Sequence, residues 1–217
     1  MKNENTVIIV TGGQIDREIL IDQIELCNSP YIIGVDRGID TLHGCGIKPD
    51  MVLGDFDSID GNISDIYKSR EDAIVLPAMK DFTDTHVAVL KAIEKNPSQI
   101  IIVGGTGSRL DHVLANIGML KLCVESGIDA YIVDSNNKIT MINKKFQLLL
   151  SEQFGKYISL IPYSDIVKGV TLSGFLYDVN DFELKKGESI GVSNELREEK
   201  GLITIREGFL LVMQTRD

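Results

Sequence analysis

Over roughly its first two-thirds the chain alternates short, wholly apolar runs with helical patterns, and this rhythm constrains the fold more than any other feature. Val7–Val10, Tyr31–Val35, Met51–Leu53, Ala73–Leu76, Ile100–Val103 and Ala130–Val133 read as strands. Arg17–Leu26, a short stretch over Asp40–Gly44, Thr83–Glu94 and Leu110–Val124 read as helices, and Val87, Leu90, Ala92 and Ile93 are the expected apolar face of the third. Strands apolar on both faces and separated by helices predict a parallel sheet covered on both sides. In such a sheet a ligand site lies beyond the carboxyl ends of the strands.

The pattern changes near Asn136. From Phe146 onward short strand-like runs follow one another: Tyr157–Ile161, Val167–Leu172, Phe182–Leu184, Gly201–Ile205 and Phe209–Met213. Turn signals at Ser173-Gly174, Lys186-Gly187 and Glu207-Gly208 separate them, which predicts a small all-β unit. The expected class is therefore α/β: a mostly parallel α/β sandwich domain over 1–138, then a small β-sandwich domain over 139–217.

Composition narrows the function classes. The formal charge is −10, with no basic run, and such a chain repels the phosphates of nucleic acid. A phosphate substrate stays open, because aspartates hold phosphate through a divalent metal that reverses the local charge. Cys27, Cys45 and Cys123 are far apart, have no metal-type spacing and are odd in number, as expected of reduced thiols in a cytoplasmic protein. No secretory leader pattern and no apolar run of membrane length is present.

The residues with chemical potential fall directly after the predicted strands. Asp55 and Asp57 in Gly54-Asp55-Phe56-Asp57-Ser58 are two apart, so in an extended segment their carboxylates face the same way. Two close carboxylates repel unless a cation lies between them, and Mg²⁺ takes one or two carboxylates with phosphate oxygens and waters. In Lys80-Asp81-Phe82-Thr83-Asp84-Thr85, Asp81 or Thr83 can cap the next helix, while Asp81 or Asp84 can complete a metal site. Gly104-Gly105-Thr106-Gly107 ahead of a helix offers backbone N–H groups to a phosphate, Arg109 adds a cationic fork, and Asp111 and His112 follow. Spacing excludes a P-loop. Asp36, in Asp36-Arg37-Gly38, either binds ribose or base or caps a helix. Together these segments imply Mg²⁺-assisted phosphoryl or pyrophosphoryl transfer.

These stretches resemble the thiamine pyrophosphokinase family. The likeness runs through Asp36-Arg37-Gly38, Pro49-Asp50, Gly54–Ser58, Asp81–Asp84 and Gly104–His112. It continues through Ser159–Pro162, Gly174–Tyr177 and Val192–Glu195. The resemblance implies a catalytic α/β domain and a thiamine-binding sandwich. It also implies a homodimer with thiamine sites between subunits, and transfer of the diphosphate of ATP to the thiamine hydroxyl with release of AMP. It makes Asp55, Asp57, Asp81 and Asp84 catalytic, the first two and Asp84 as Mg²⁺ ligands. Asp36, Gly104, Gly105, Thr106, Arg109, Asp111 and His112 become nucleotide contacts, and Ser193 and Asn194 thiamine contacts. Some members stack a tryptophan on thiamine; this chain has none, so the contact is absent or another residue supplies it. An acidic cleft suits the fixed positive charge of thiamine. Two other readings stay open on the sequence: Mg²⁺-dependent phosphate transfer to another small alcohol, and a non-catalytic thiamine or nucleotide sensor.

Overall fold

The computed structural model describes residues 5–57, 59–71, 73–77 and 81–217. Ser58, which ends one of the segments quoted above, and Lys80, which begins another, lie outside the described residues. The chain divides into two compact units, Met1–Ser135 and Asn136–Asp217.

In chain order the first unit contains β1 (Thr6–Val10), α1 (Arg17–Leu26), β2 (Tyr31–Val35), α2 (Gly38–Gly44), β3 (Met51–Gly54) and α3 (Gly61–Lys68). It continues with β4 (Ala73–Val75), α4 (Asp84–Ile93), β5 (Gln99–Val103), α5 (Leu110–Glu125) and β6 (Asp129–Val133). The strands pair in the order β6-β5-β1-β2-β3-β4, and every pairing is parallel. Val7 to Val10 and Ile100 to Val103 are buried along their whole length, because helices cover both faces of the two central strands. From β1 the chain winds outward through β2, β3 and β4. It then returns to place β5 on the other side of β1, so the winding direction reverses between β1 and β5.

Two details differ from the sequence expectation. α3 is an additional helix; its apolar residues Ile63, Ile66 and Tyr67 have helical spacing but span a single turn, and Ile66 is exposed. Its Asp60 cap accepts a hydrogen bond from the Asn62 N–H. In α4 the buried face is Thr85, Ala88, Val89 and Ala92, rotated from the expected one, and Leu90 is exposed. Small residues allow close approach to the sheet, and the Thr85 hydroxyl hydrogen-bonds the Thr11 hydroxyl at 2.9 Å in a buried setting. Bulk alone therefore pointed to the wrong side of this helix.

The second unit holds β7 (Asn137–Ile142), β8 (Lys145–Leu149), β9 (Tyr157–Pro162), β10 (Ile166–Ser173), β11 (Val179–Lys185), β12 (Asn194–Glu195), β13 (Lys200–Thr204) and β14 (Leu210–Thr215). β12-β9-β14-β7 and β11-β10-β13-β8 form two antiparallel layers. Both contribute to one core that includes Ile158, Leu160, Val167, Val170, Ile203 and Val212.

Candidate functional site

A cavity of about 750 Å³ opens at the carboxyl ends of β1, β2 and β5. Small-molecule sites commonly enclose about 300–1,000 Å³. Its position is the switch point of the sheet: two neighbouring strands whose following loops lead away in opposite directions leave a crevice between them.

Two glycine loops form its floor. The Thr11 N–H donates to Val103 O (2.9 Å), the Gly13 N–H to Gly104 O (3.0 Å) and the Gln14 N–H to Thr106 O (2.8 Å), so the loop after β1 is zipped to the loop after β5. Glycine is required at 13, because a Cβ there would overlap the carbonyl oxygens of both Gly104 and Thr106. From α5 the buried Asn116 amide donates to Gly105 O at 2.9 Å and fixes the second loop from beneath. Both turns and the start of α5 line the cavity, a setting whose backbone N–H groups and helix dipole favour an anion.

The walls carry charge. Asp36, Asp81 and Asp84 line the cavity, as do Gly104, Gly105, Thr106, Arg109 and His112. Thr83 caps α4 by accepting from the His86 N–H at 3.2 Å, so Asp81 is not the cap and is exposed at the cavity. Asp84 occupies the first turn of α4. The Arg109 guanidinium pairs with Asp111 at 2.7 Å on the surface, and Asp111 is not among the lining residues. This hydrogen bond holds the Asp111 carboxyl below the usual carboxylate range and raises Arg109 in turn.

Asp55 and Asp57 depart from the arrangement expected of them. Phe56 between them is left-handed (φ 63°) and buried, packed with Ile39, Val52, Ile59 and Tyr67. The segment is therefore not extended; the Asp57 N–H turns back to Asp55 Oδ1 at 3.2 Å. Neither residue lines the cavity; they sit after β3, next to β2, the strand that Asp36 follows. Gly54 packs against the Asp36 carboxylate, where a Cβ would collide with it.

Among the described residues, no three His, Cys, Asp or Glu side chains gather as a metal-binding group. The cavity instead presents carboxylate and hydroxyl oxygens. That donor chemistry fits a Mg²⁺ ion arriving with phosphate and keeping phosphate and water oxygens as ligands, rather than an ion caged by protein alone.

Ser193 and Asn194 lie in the second unit. Asn194 is buried, and its amide grips the backbone of Tyr177, donating to Tyr177 O at 2.9 Å and accepting from the Tyr177 N–H at 3.1 Å. The Ser193 N–H donates to Ser159 Oγ at 3.0 Å, and the Leu176 N–H to Glu195 O at 2.8 Å. The Ser159, Gly174–Tyr177 and Val192–Glu195 stretches thus meet. The Tyr177 side chain at this junction is 67% exposed, and Ile190 and Val192 beside it in sequence to Asn194 are exposed as well.

The sequence reading missed Thr11 to Gln14 and Asn116 as parts of the site. Thr11-Gly12-Gly13 follows a predicted strand as directly as the other segments do, so the strand-end rule already contained that signal. Asn116 had only its spacing of four from His112 to mark it.

Fold and cavity define an α/β protein with a polar, glycine-floored cleft at the switch point of a parallel sheet, followed by a β-sandwich. Residues 23–132 match the family described as "Thiamin pyrophosphokinase, catalytic domain", and residues 143–210 match "Thiamin pyrophosphokinase, vitamin B1 binding domain". A thiamine pyrophosphokinase of Bacillus subtilis is 37% identical over 98% of this chain and 99% of its own length. The crystal structure of thiamine pyrophosphokinase from Bacillus subtilis superposes with a TM-score of 0.87 at 34% identity, covering 98% of this chain and 99% of that one. The corresponding structure from Geobacillus thermodenitrificans gives 0.85 at 30% identity, covering 98% of each chain. The chain belongs to the thiamine pyrophosphokinase family.

Proposed function

We propose that this chain transfers the diphosphate of ATP to the hydroxyl of thiamine, giving thiamine diphosphate and AMP. Family membership over nearly the whole chain supports the reaction. The observation that carries the site assignment is the zipped pair of glycine loops lining a cavity with Asp36, Asp81, Asp84 and Arg109.

In this reading the thiamine hydroxyl oxygen forms a bond to the β-phosphorus while the bond from that phosphorus to the α–β bridging oxygen breaks. AMP leaves with the bonding pair, and the hydroxyl proton is lost. Gly104, Gly105 and Thr106 hold phosphate through backbone donors, with Arg109, His112 and Asp36 around the nucleotide. Asp111 acts through Arg109 by orienting its guanidinium. Asp84 and Asp81 on the wall, with Asp55 and Asp57 at the neighbouring strand end, would hold Mg²⁺, which when bound neutralises charge on the phosphates. No side chain is assigned as general base; positioning and charge neutralisation supply much of the catalysis of such transfers.

Thiamine would lie between the α/β unit of one subunit and the sandwich of its partner in a homodimer. Ser193 and Asn194 belong to that contact surface. In a chain without tryptophan, Tyr177 is the aromatic side chain that stacks on the cofactor precursor, with Asn194 gripping its backbone so that the ring is presented at low entropic cost. No helix among the described residues is long and apolar enough to cross a membrane. We place the protein in the cytoplasm on its free cysteines, which suit a reducing compartment.

The test is to incubate the protein with ATP, Mg²⁺ and thiamine and identify the products. AMP and thiamine diphosphate in equal amounts support the reading. ADP with thiamine monophosphate, or intact ATP beside folded protein, refutes it.

A further inference from the structure

We infer that Arg37 is a phosphate-binding residue, its guanidinium engaging the polyphosphate of the nucleotide; this rests on the nucleotide reading of the cavity given above. Among the described lining residues only Arg37 and Arg109 carry a permanent positive charge, facing Asp36, Asp81 and Asp84. A nucleoside triphosphate brings several negative charges into a wall already acidic, so each guanidinium in reach matters to its binding. Arg109 is already paired with Asp111 at 2.7 Å. Among the described residues no hydrogen bond or ion pair engages the Arg37 guanidinium, and the residue is exposed.

The backbone that carries Arg37 is fixed. Asp36 before it is left-handed (φ 48°), and its carbonyl accepts from the Ile39 N–H at 2.9 Å. Gly38 after it is pressed onto the end of β1, where a Cβ would overlap Val10 O and lie 3.0 Å from Thr11 N. The start of the Arg37 side chain lies against the loop after β1, since a Cβ on Gly12 would be 3.4 Å from Arg37 Cβ. Arg37 is therefore held beside one of the two loops that form the cavity floor, with its charged end unspent. Its planar fork suits two phosphate oxygens at once.

The experiment compares binding of Mg²⁺–ATP and of adenosine by calorimetry in wild type, Arg37→Ala and Arg37→Lys, with melting curves to confirm that all three fold alike. Loss of a charge-assisted contact is expected to weaken ATP by about 10- to 100-fold in Arg37→Ala. Adenosine affinity and KM for thiamine should stay unchanged, and Arg37→Lys should recover part of the loss, because it restores a point charge without the fork. ATP affinity equal to wild type in Arg37→Ala, or an equal loss for ATP and adenosine, overturns the inference while leaving the nucleotide site standing. A wild-type protein that binds ATP no better than adenosine overturns the nucleotide reading itself.

Discussion

Replacing Gly13 by alanine tests the zipped loops on which the site assignment depends. The added Cβ meets the carbonyl oxygens of Thr106 and Gly104 and lies 3.1 Å from Gly104 C, all backbone atoms that cannot swing aside. Two responses are open. If the loops hold, overpacking costs about 1–3 kcal/mol. If they part, the Gly13 N–H to Gly104 O and Gln14 N–H to Thr106 O hydrogen bonds are lost. At about 0.5–1.5 kcal/mol each, that also comes to about 1–3 kcal/mol. These are alternatives, so the net penalty stays near about 1–3 kcal/mol, or a Tm lower by about 2–12 °C at about 2–4 °C per kcal/mol. Catalysis should suffer more, since a misplacement of about 1 Å in a reacting site costs about 100-fold. Gly61→Ala is the control: nothing lies within 4 Å of a Cβ there, at the start of α3. It should leave turnover unchanged and stabilise by about 0.4–1 kcal/mol. Melting curves and kcat/KM for ATP measure both. A Gly13→Ala protein with wild-type Tm and wild-type kcat/KM refutes the zipped-loop account of the site.

Tyr177→Ala should raise KM for thiamine by about 2- to 30-fold, the range of about 0.5–2 kcal/mol for a cation over an aromatic face, with KM for ATP unmoved and Tyr177→Phe close to wild type. Unchanged thiamine KM in the alanine variant would remove the ring from the site. Burial pushes the Cys123 thiol from its ordinary value near 9 up to about 12, so at pH 8 a thiol reagent should modify half-buried Cys45 well before Cys123. Because that pKa is raised on folding, the stability it contributes is complete below pH 9 and is lost as pH rises towards about 12. Cys123→Ala should therefore flatten the fall of Tm with pH above pH 9, and an equally steep fall in the variant contradicts the assignment.

The parallel order was legible because Val7–Val10 and Ile100–Val103 are continuous apolar runs, the pattern of strands covered on both faces. Strand-end aspartates and glycines were legible because loops after parallel strands gather on one side of the sheet. What the sequence could not convey was how neighbouring residues turn. Asp55 and Asp57 looked to face the same way on an extended segment, but the buried Phe56 between them is left-handed, and no one-dimensional spacing encodes that. The face of α4 was misread because Ala88 and Thr85 gain from close approach and a buried hydroxyl pair, neither of which registers as hydrophobicity. In the second unit, the hydrogen bonds of the Asn194 amide to the backbone of Tyr177 join two stretches far apart in sequence, and no local pattern marks that meeting.

The reversal of winding between β1 and β5 also fixes an order of assembly. Val10 lies opposite Val103, so the backbone hydrogen bonds of Gly13 and Gln14 cannot form until β5 has been made and docked. β1 to β4 can pair with one another while the rest of the chain is still being synthesised, yet the carbonyls that hold Gly13 and Gln14 arrive only with Gly104 and Thr106. A nascent chain that ends before β5 exposes one long edge of β1, apolar on both faces and open to pairing with another molecule. The step that closes that edge is the same step that zips the two floor loops together, so in this protein the end of the hazard in folding and the first assembly of the ligand cleft coincide.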